Sequence, residues 1–166
     1  MALNMTNNPA LLNPLPDQDH SPGFEEFSAP LQPYSGDDAL SGLWQKARVE
    51  AARGTLAPLP VSGLSLLSAR FSADEIDALV IAKRTLVRRR ANREPLSLEE
   101  TDKALRLARI ASEADRIFAN PEKSARWLRK PNAALSGHAP LELLKSEAGA
   151  LAVDELLGQI DHGMFG

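Results

Sequence analysis

The sequence predicts an all-α chain, and three observations predict it. Leu, Ala, Glu, Arg and Asp dominate its 166 residues, only 5% of them aromatic, and most of these are helix formers or helix-terminus residues. Apolar side chains recur at three- and four-residue spacing. Ser, Asn, Pro and Gly stand where those stretches start and stop. No strand-like alternation and no internal repeat appears. The expected organisation is a disordered Pro-rich tail over 1–36, a helix-turn-helix region over 37–96, and a small helical module over 97–166.

With 43% hydrophobic residues the chain can bury a core, and without cysteine it has neither disulfides nor thiolate metal sites. This agrees with a reducing cytoplasm, the expected location. The N-terminus lacks a basic flank followed by an apolar stretch, so no secretory signal is expected. No run approaches the ~20 apolar residues of a membrane span.

Residues 1–36 carry prolines at 9, 14, 16, 22, 30 and 33, a spacing that leaves no room for a long helix. The first helix is expected at about 38–53, with Leu40, Leu43, Trp44, Ala47 and Ala51 on one face and Gly54 as its stop. A linker over Thr55–Pro60 leads to a short helix at about 61–70. Ser72 and Glu75 form a capping box for the next helix, whose inner face is Ile76, Leu79 and Val80. A break at Ile81–Lys83 precedes a helix at 84–92, and two short helices with so tight a turn are the pattern of a helix-turn-helix.

Pro95 ends that unit. A second capping box, Ser97 to Glu100, opens a helix to about 119 with Ile110, Ala114, Ile117 and Phe118 on its stripe. Asn120-Pro121 is a cap followed by proline at the first helical position of 121–130. Residues 133–139 are expected as a loop, Pro140–Lys145 as a helix, and Ser146 as the start of the last helix. That helix has Val153, Leu156, Leu157 and Ile160 on its apolar face and Gly163 as C-cap.

The formal net charge of −3 hides a local concentration of the opposite sign. Lys83, Arg84, Arg88, Arg89, Arg90 and Arg93 fall within eleven residues that contain no acid, the footprint of a nucleic-acid contact or of a solvated helix face. On a helical wheel Leu86, Val87 and Ala91 group together as the expected buried face. Thr85, Arg88, Arg89 and Asn92 fall opposite, with Arg84 at the flank near the amides of the first turn. Arginine suits guanine O6 and N7, and a hydroxyl such as that of Thr85 suits a phosphate or a base edge. The candidate DNA contacts are therefore Lys83, Arg84, Thr85, Arg88, Arg89, Asn92 and Arg93. An RNA or an acidic protein is the other partner such a helix fits. One helix-turn-helix has too small an interface for high specificity, so a homodimer on operator DNA is expected.

No catalytic constellation is legible. His20, His138 and His162 lie far apart without acidic partners at ligand spacing, so neither metal nor cofactor is expected. Asp161-His162 has no adjacent nucleophile, and His162 reads as a cap on its helix. Trp127, beside Ala125 and Leu128, reads as core, and Asn132 as a loop-shaping residue. The chain is expected not to be an enzyme.

Ala82-Lys83-Arg84-Thr85-Leu86-Val87-Arg88-Arg89, Pro95-Leu96-Ser97 and Glu99-Glu100-Thr101-Asp102 resemble the Xre-type half of a bacterial antitoxin family. Ala125-Arg126-Trp127-Leu128, Pro131-Asn132, Leu135, Gly137, Pro140-Leu141-Glu142-Leu143-Leu144 and Ile160-Asp161-His162-Gly163 resemble its C-terminal toxin-binding module. The resemblance, over about residues 40–166, is to the Xre/MbcA/ParS-type antitoxins of RES–Xre type II toxin–antitoxin systems. It implies a RES-domain toxin as partner, one that depletes NAD or ADP-ribosylates protein, held inactive by the antitoxin's C-terminal segment. It also implies repression of the chain's own operon and association as dimers. Carried over by position, the toxin contacts are Asp161, His162, Gly163, Met164, Phe165 and Gly166. The alternative is a stand-alone transcriptional regulator whose C-terminal module only dimerises.

Overall fold

The computed structural model describes residues 39–163, which form eight α-helices and two 3-10 turns; no strand occurs among the described residues. The expected tail over 1–36, and Met164, Phe165 and Gly166, lie outside the described residues. The helices are α1 (Ala39–Ala52), α2 (Leu64–Ser68), α3 (Ala73–Leu79), α4 (Lys83–Asn92), α5 (Leu98–Phe118), α6 (Pro121–Arg129), α7 (Pro140–Leu143) and α8 (Glu147–Asp161).

Most of the boundaries follow from side chains that satisfy free backbone groups at helix ends. Ser72 Oγ accepts from the Glu75 amide at 3.2 Å while the Glu75 carboxylate accepts from the Ser72 amide at 2.7 Å. Ser97 and Glu100 repeat this reciprocal pair at the start of α5, at 3.1 and 2.7 Å. Asn120 Oδ1 accepts from the amides of Glu122 and Lys123, and Pro121 fills the first position of α6. Gly54 and Gly163 take the left-handed conformation, φ +68° and +66°, that turns the chain away from α1 and α8.

Three boundaries differ from expectation. The stretch 61–70 divides into a 3-10 turn, Val61–Gly63, and the five-residue α2. Its serines donate to local carbonyls, Ser65 Oγ to Ser62 O at 2.7 Å and Ser68 Oγ to Leu64 O at 3.1 Å, which competes with a regular helix. The expected loop 133–139 contains a 3-10 turn at Ala133–Leu135, because Asn132 Oδ1 accepts from the Ala134 amide. The helix from Pro140 ends at Leu143 instead of Lys145, and the Ser146 amide closes on the Leu143 carbonyl.

The long α5 is the axis of the fold, with α1, α2, α6 and α8 packed on it. One core runs from Leu40 through Leu67, Leu107, Ala108, Ile110 and Ala114 to Val153 and Leu157. Burying each large apolar side chain contributes about 1.5–3 kcal/mol, so α5 organises most of the cohesion. Of the expected α5 stripe, Ile110, Ala114 and Ile117 are buried. Phe118 packs at the margin of the core against the half-buried Trp127, ring centroids 5.4 Å apart.

α8 lies alongside α5 in the same direction, and ion pairs mark the register. Arg106 Nε is 2.8 Å from Glu147, Arg109 pairs with Asp154, and Arg116 Nη2 is 2.7 Å from Asp161. The three acids recur every seven residues, which returns each to the same side of a helix.

Candidate functional site

α4 is held at both ends and buries none of its residues. At its start the Lys83 amide donates to the Asp77 carboxylate of α3 across Val80-Ile81-Ala82, whose first two side chains are buried in the core. At its end Arg93 adopts the left-handed conformation, φ +56°, and the Glu94 amide reaches the Arg89 carbonyl at 2.9 Å.

The orientation of α4 corrects the wheel. Val87 is 60% exposed and Ala91 is exposed, whereas Thr85, Leu86 and Arg89 are half-buried. The reason is electrostatic. Arg89 Nε lies 2.9 Å from Glu100 Oε2, and Nη1 donates to the Pro95 carbonyl at 3.0 Å and stands 3.6 Å from Glu94. With so few apolar side chains on α4, the Arg89 stem and its fixed charge compete successfully for the inward position. Lys83, Arg84, Arg88, Arg90, Asn92 and Arg93 are exposed. Asn92 donates to Glu94 Oε1 at 2.9 Å. The structure thus gathers Lys83, Arg84, Arg88 and Arg93 at the surface, leaves Thr85 half-covered, and turns Arg89 inward.

A second constellation surrounds α6 and was not legible in the sequence. Asp115 is 1% exposed and Ser124 is fully buried. The Arg70 guanidinium and the Ser124 hydroxyl both donate to the Asp115 carboxylate; Arg70 also lies 3.1 Å from Ser124 Oγ and 3.4 Å from the Pro121 carbonyl. Above it, Arg129 donates to Glu75 at 2.7 and 2.9 Å and to the Arg70 carbonyl at 3.0 Å. Partial burial pushes the Glu75 carboxyl up, but Arg129 and the Ser72 amide outweigh it and hold the group below the usual glutamate range.

At the end of α8, Asp161 accepts from Arg116, and that guanidinium holds its carboxyl below the usual range. His162 Nδ1 lies 2.6 Å from the Gly158 carbonyl, the placement of a protonated nitrogen closing the helix. Gly163 follows, exposed. Among the described residues no group of three or more His, Asp or Glu side chains is placed to hold a metal ion, and no helix is long and apolar enough to cross a membrane.

Residues 113–163, from the last turns of α5 through α8, match the family model described as the antitoxin Xre/MbcA/ParS C-terminal toxin-binding domain. The chain is 37% identical over 84 residues to antitoxin Xre of Pseudomonas putida, a match covering 51% of this chain and 53% of that one. It is 29% identical over 139 residues to antitoxin Xre of Yersinia enterocolitica, covering 74% and 90% of the two chains. It is also 34% identical over 139 residues to the Prs ADP-ribosylating antitoxin of a Sphingobium species, covering 76% and 87%. The chain belongs to the Xre/MbcA/ParS antitoxin family.

In this antitoxin the matched stretch contains Asp115, Ser124, Trp127, both ends of the Arg116–Asp161 pair, and the Asn132–Gly137 loop, which the Gly137 amide closes on the Asn132 carbonyl at 2.9 Å. It also contains Gly149, where any Cβ would overlap the carbonyl oxygen of Leu143. That glycine lets the first turn of α8 lie directly on α7, a close approach that only the structure reveals.

Proposed function

We propose that this antitoxin neutralises a RES-domain toxin and also regulates transcription of its own operon. The toxin is one that consumes NAD or ADP-ribosylates protein. The residues Asp161, His162 and Gly163, followed by Met164, Phe165 and Gly166, sit at or near its active site. The observation that carries this half is the toxin-binding family match over residues 113–163. The name of the Sphingobium relative, which joins ADP-ribosylation to an antitoxin, supports that class of chemistry. The physics is favourable as well: a helix closed by His162 and Gly163 gives a firm base from which a short segment with Phe165 can enter a narrow cleft.

The DNA half of the proposal assigns α3, the turn Val80–Ala82 and α4 as a helix-turn-helix, with α4 as the reading helix. Its support is the exposed cationic face of α4 between two buried anchors, Ile81 and Leu96. A homodimer on a two-fold operator is the expected assembly, in the cytoplasm, and no enzymatic activity is assigned to the antitoxin itself.

The test is co-expression of the antitoxin with the RES-domain protein encoded beside it. A stable complex and rescue of growth are expected. A toxin that stays toxic and never co-purifies overturns the inhibitory half.

A further inference from the structure

α4 carries an exposed apolar side chain where a solvated helix face has no use for one. Val87 is 60% exposed. Single exposed valines are ordinary on protein surfaces, so exposure alone assigns nothing. Its neighbours do. The residues one turn away, at i−4, i−3, i+3 and i+4, are Lys83, Arg84, Arg90 and Ala91, all exposed, with Arg88 exposed beside it. No acidic side chain lies on this helix. Val87 is therefore an apolar spot with exposed positive charge on three sides and only the Ala91 methyl on the fourth.

We propose that Val87 reads a thymine 5-methyl group in the major groove, with Arg84 and Arg88 bonding to bases or phosphates on either side. The inference rests on α4 being the DNA-reading helix. In the major groove the thymine methyl is the one apolar group a base pair presents. A β-branched side chain on a helix has essentially one rotamer, so it meets that methyl with little loss of freedom. The surrounding cations choose the occupant. A dry protein contact would strip water from Lys83, Arg84, Arg88 and Arg90 together, whereas a duplex meets each with a phosphate or a guanine edge. A second copy of the same face would set like charges against one another.

The test uses the full-length antitoxin and a duplex enriched by it from a random-sequence library. Each thymine in that duplex is then replaced singly by deoxyuridine, which removes only the methyl. At one position the replacement weakens the wild-type complex about three- to fivefold, the effect of one buried methyl. Val87→Ala binds the thymine duplex more weakly by a similar factor and is indifferent to that replacement. Alanine is the better helix former, so the variant keeps α4. An enriched duplex to which Val87→Ala responds like wild type overturns the assignment of Val87 while leaving α4 as the reader. Failure to enrich any duplex overturns the DNA reading itself and the inference with it. Normal DNA binding by Val87→Ala with a weakened toxin complex also overturns it, and gives this face to a protein partner.

Discussion

Glu100 closes the first turn of α5 and, with the same carboxylate, fixes Arg89 of α4: Oε2 accepts from the Ser97 amide at 2.7 Å and lies 2.9 Å from Arg89 Nε. Glu75 has the same double duty in α3, capping Ser72 and receiving Arg129 from α6. In both, a local signal in the sequence is reused as a long-range fastener. Arg89 is thereby tied into the fold, although the sequence places it among the candidate DNA contacts, and Arg129 is tied in the same way.

Arg88 and Arg89, adjacent in sequence, are expected to behave oppositely. Arg88→Ala should leave unfolding unchanged, weaken duplex binding, and make the slope of log affinity against log salt shallower by about one. Arg89→Ala should destabilise the fold by about 1–3 kcal/mol, because a part-buried charged group loses its hydrogen-bonded partner. Urea unfolding and binding titrations over a salt series separate the two.

Asp115 is the most exposed to risk by substitution. Asp115→Ala leaves Arg70 without its buried counter-charge and leaves the Ser124 hydroxyl only the Pro121 carbonyl as acceptor, a loss of about 3–5 kcal/mol. Urea unfolding should show it as a lowered midpoint with an unchanged slope. A change below about 1 kcal/mol would mean the network is decorative.

Backbone geometry gives a pair of opposite outcomes. Gly149→Ala drives a methyl into the Leu143 carbonyl and should cost about 1–3 kcal/mol. Ala119 holds the left-handed conformation, φ +48°, which is strained for any residue with a Cβ. Ala119→Gly should therefore stabilise by about 0.5–1 kcal/mol. Thermal unfolding of the two variants reads both signs.

Acid should loosen the α3–α6 junction. The folded-state pKa of Glu75 is lowered from its ordinary 4.5, so the folded chain holds this proton more weakly than the unfolded one. The contribution is fully present above about 4.5 and is lost as pH falls through the lower folded value. Glu75→Gln should be less stable than wild type near neutrality, with the difference shrinking as pH falls below that window. A gap independent of pH would contradict the ion pair with Arg129.

Helix ends were legible because their chemistry is local. Ser72, Ser97, Asn120, Gly54 and Gly163 each act within a few residues of themselves, and each stands where the sequence reading placed it. The orientation of α4 was not, because its inward position is decided by Glu100, eleven residues beyond Arg89. A wheel that ranks residues by hydrophobicity puts Val87 and Ala91 inside and takes no account of a distant carboxylate. The Arg70–Asp115–Ser124 cluster was hidden for the same reason, its members being up to 54 residues apart. Gly149 gave no signal at all, since a glycine inside a helix announces a close contact only once the neighbour is known. For the proposed toxin contacts, the family resemblance supplied what residue chemistry could not.

In the proposed function the antitoxin silences its toxin with the segment that follows α8. The most direct measurement is the NAD turnover, or the ADP-ribosyl transfer, of the purified cognate toxin titrated with the full chain and with a chain lacking residues 163–166. The full chain should abolish activity at stoichiometric amounts. The shortened chain should keep its helical circular dichroism and its duplex binding yet leave the toxin active. Equal inhibition by both chains would contradict it.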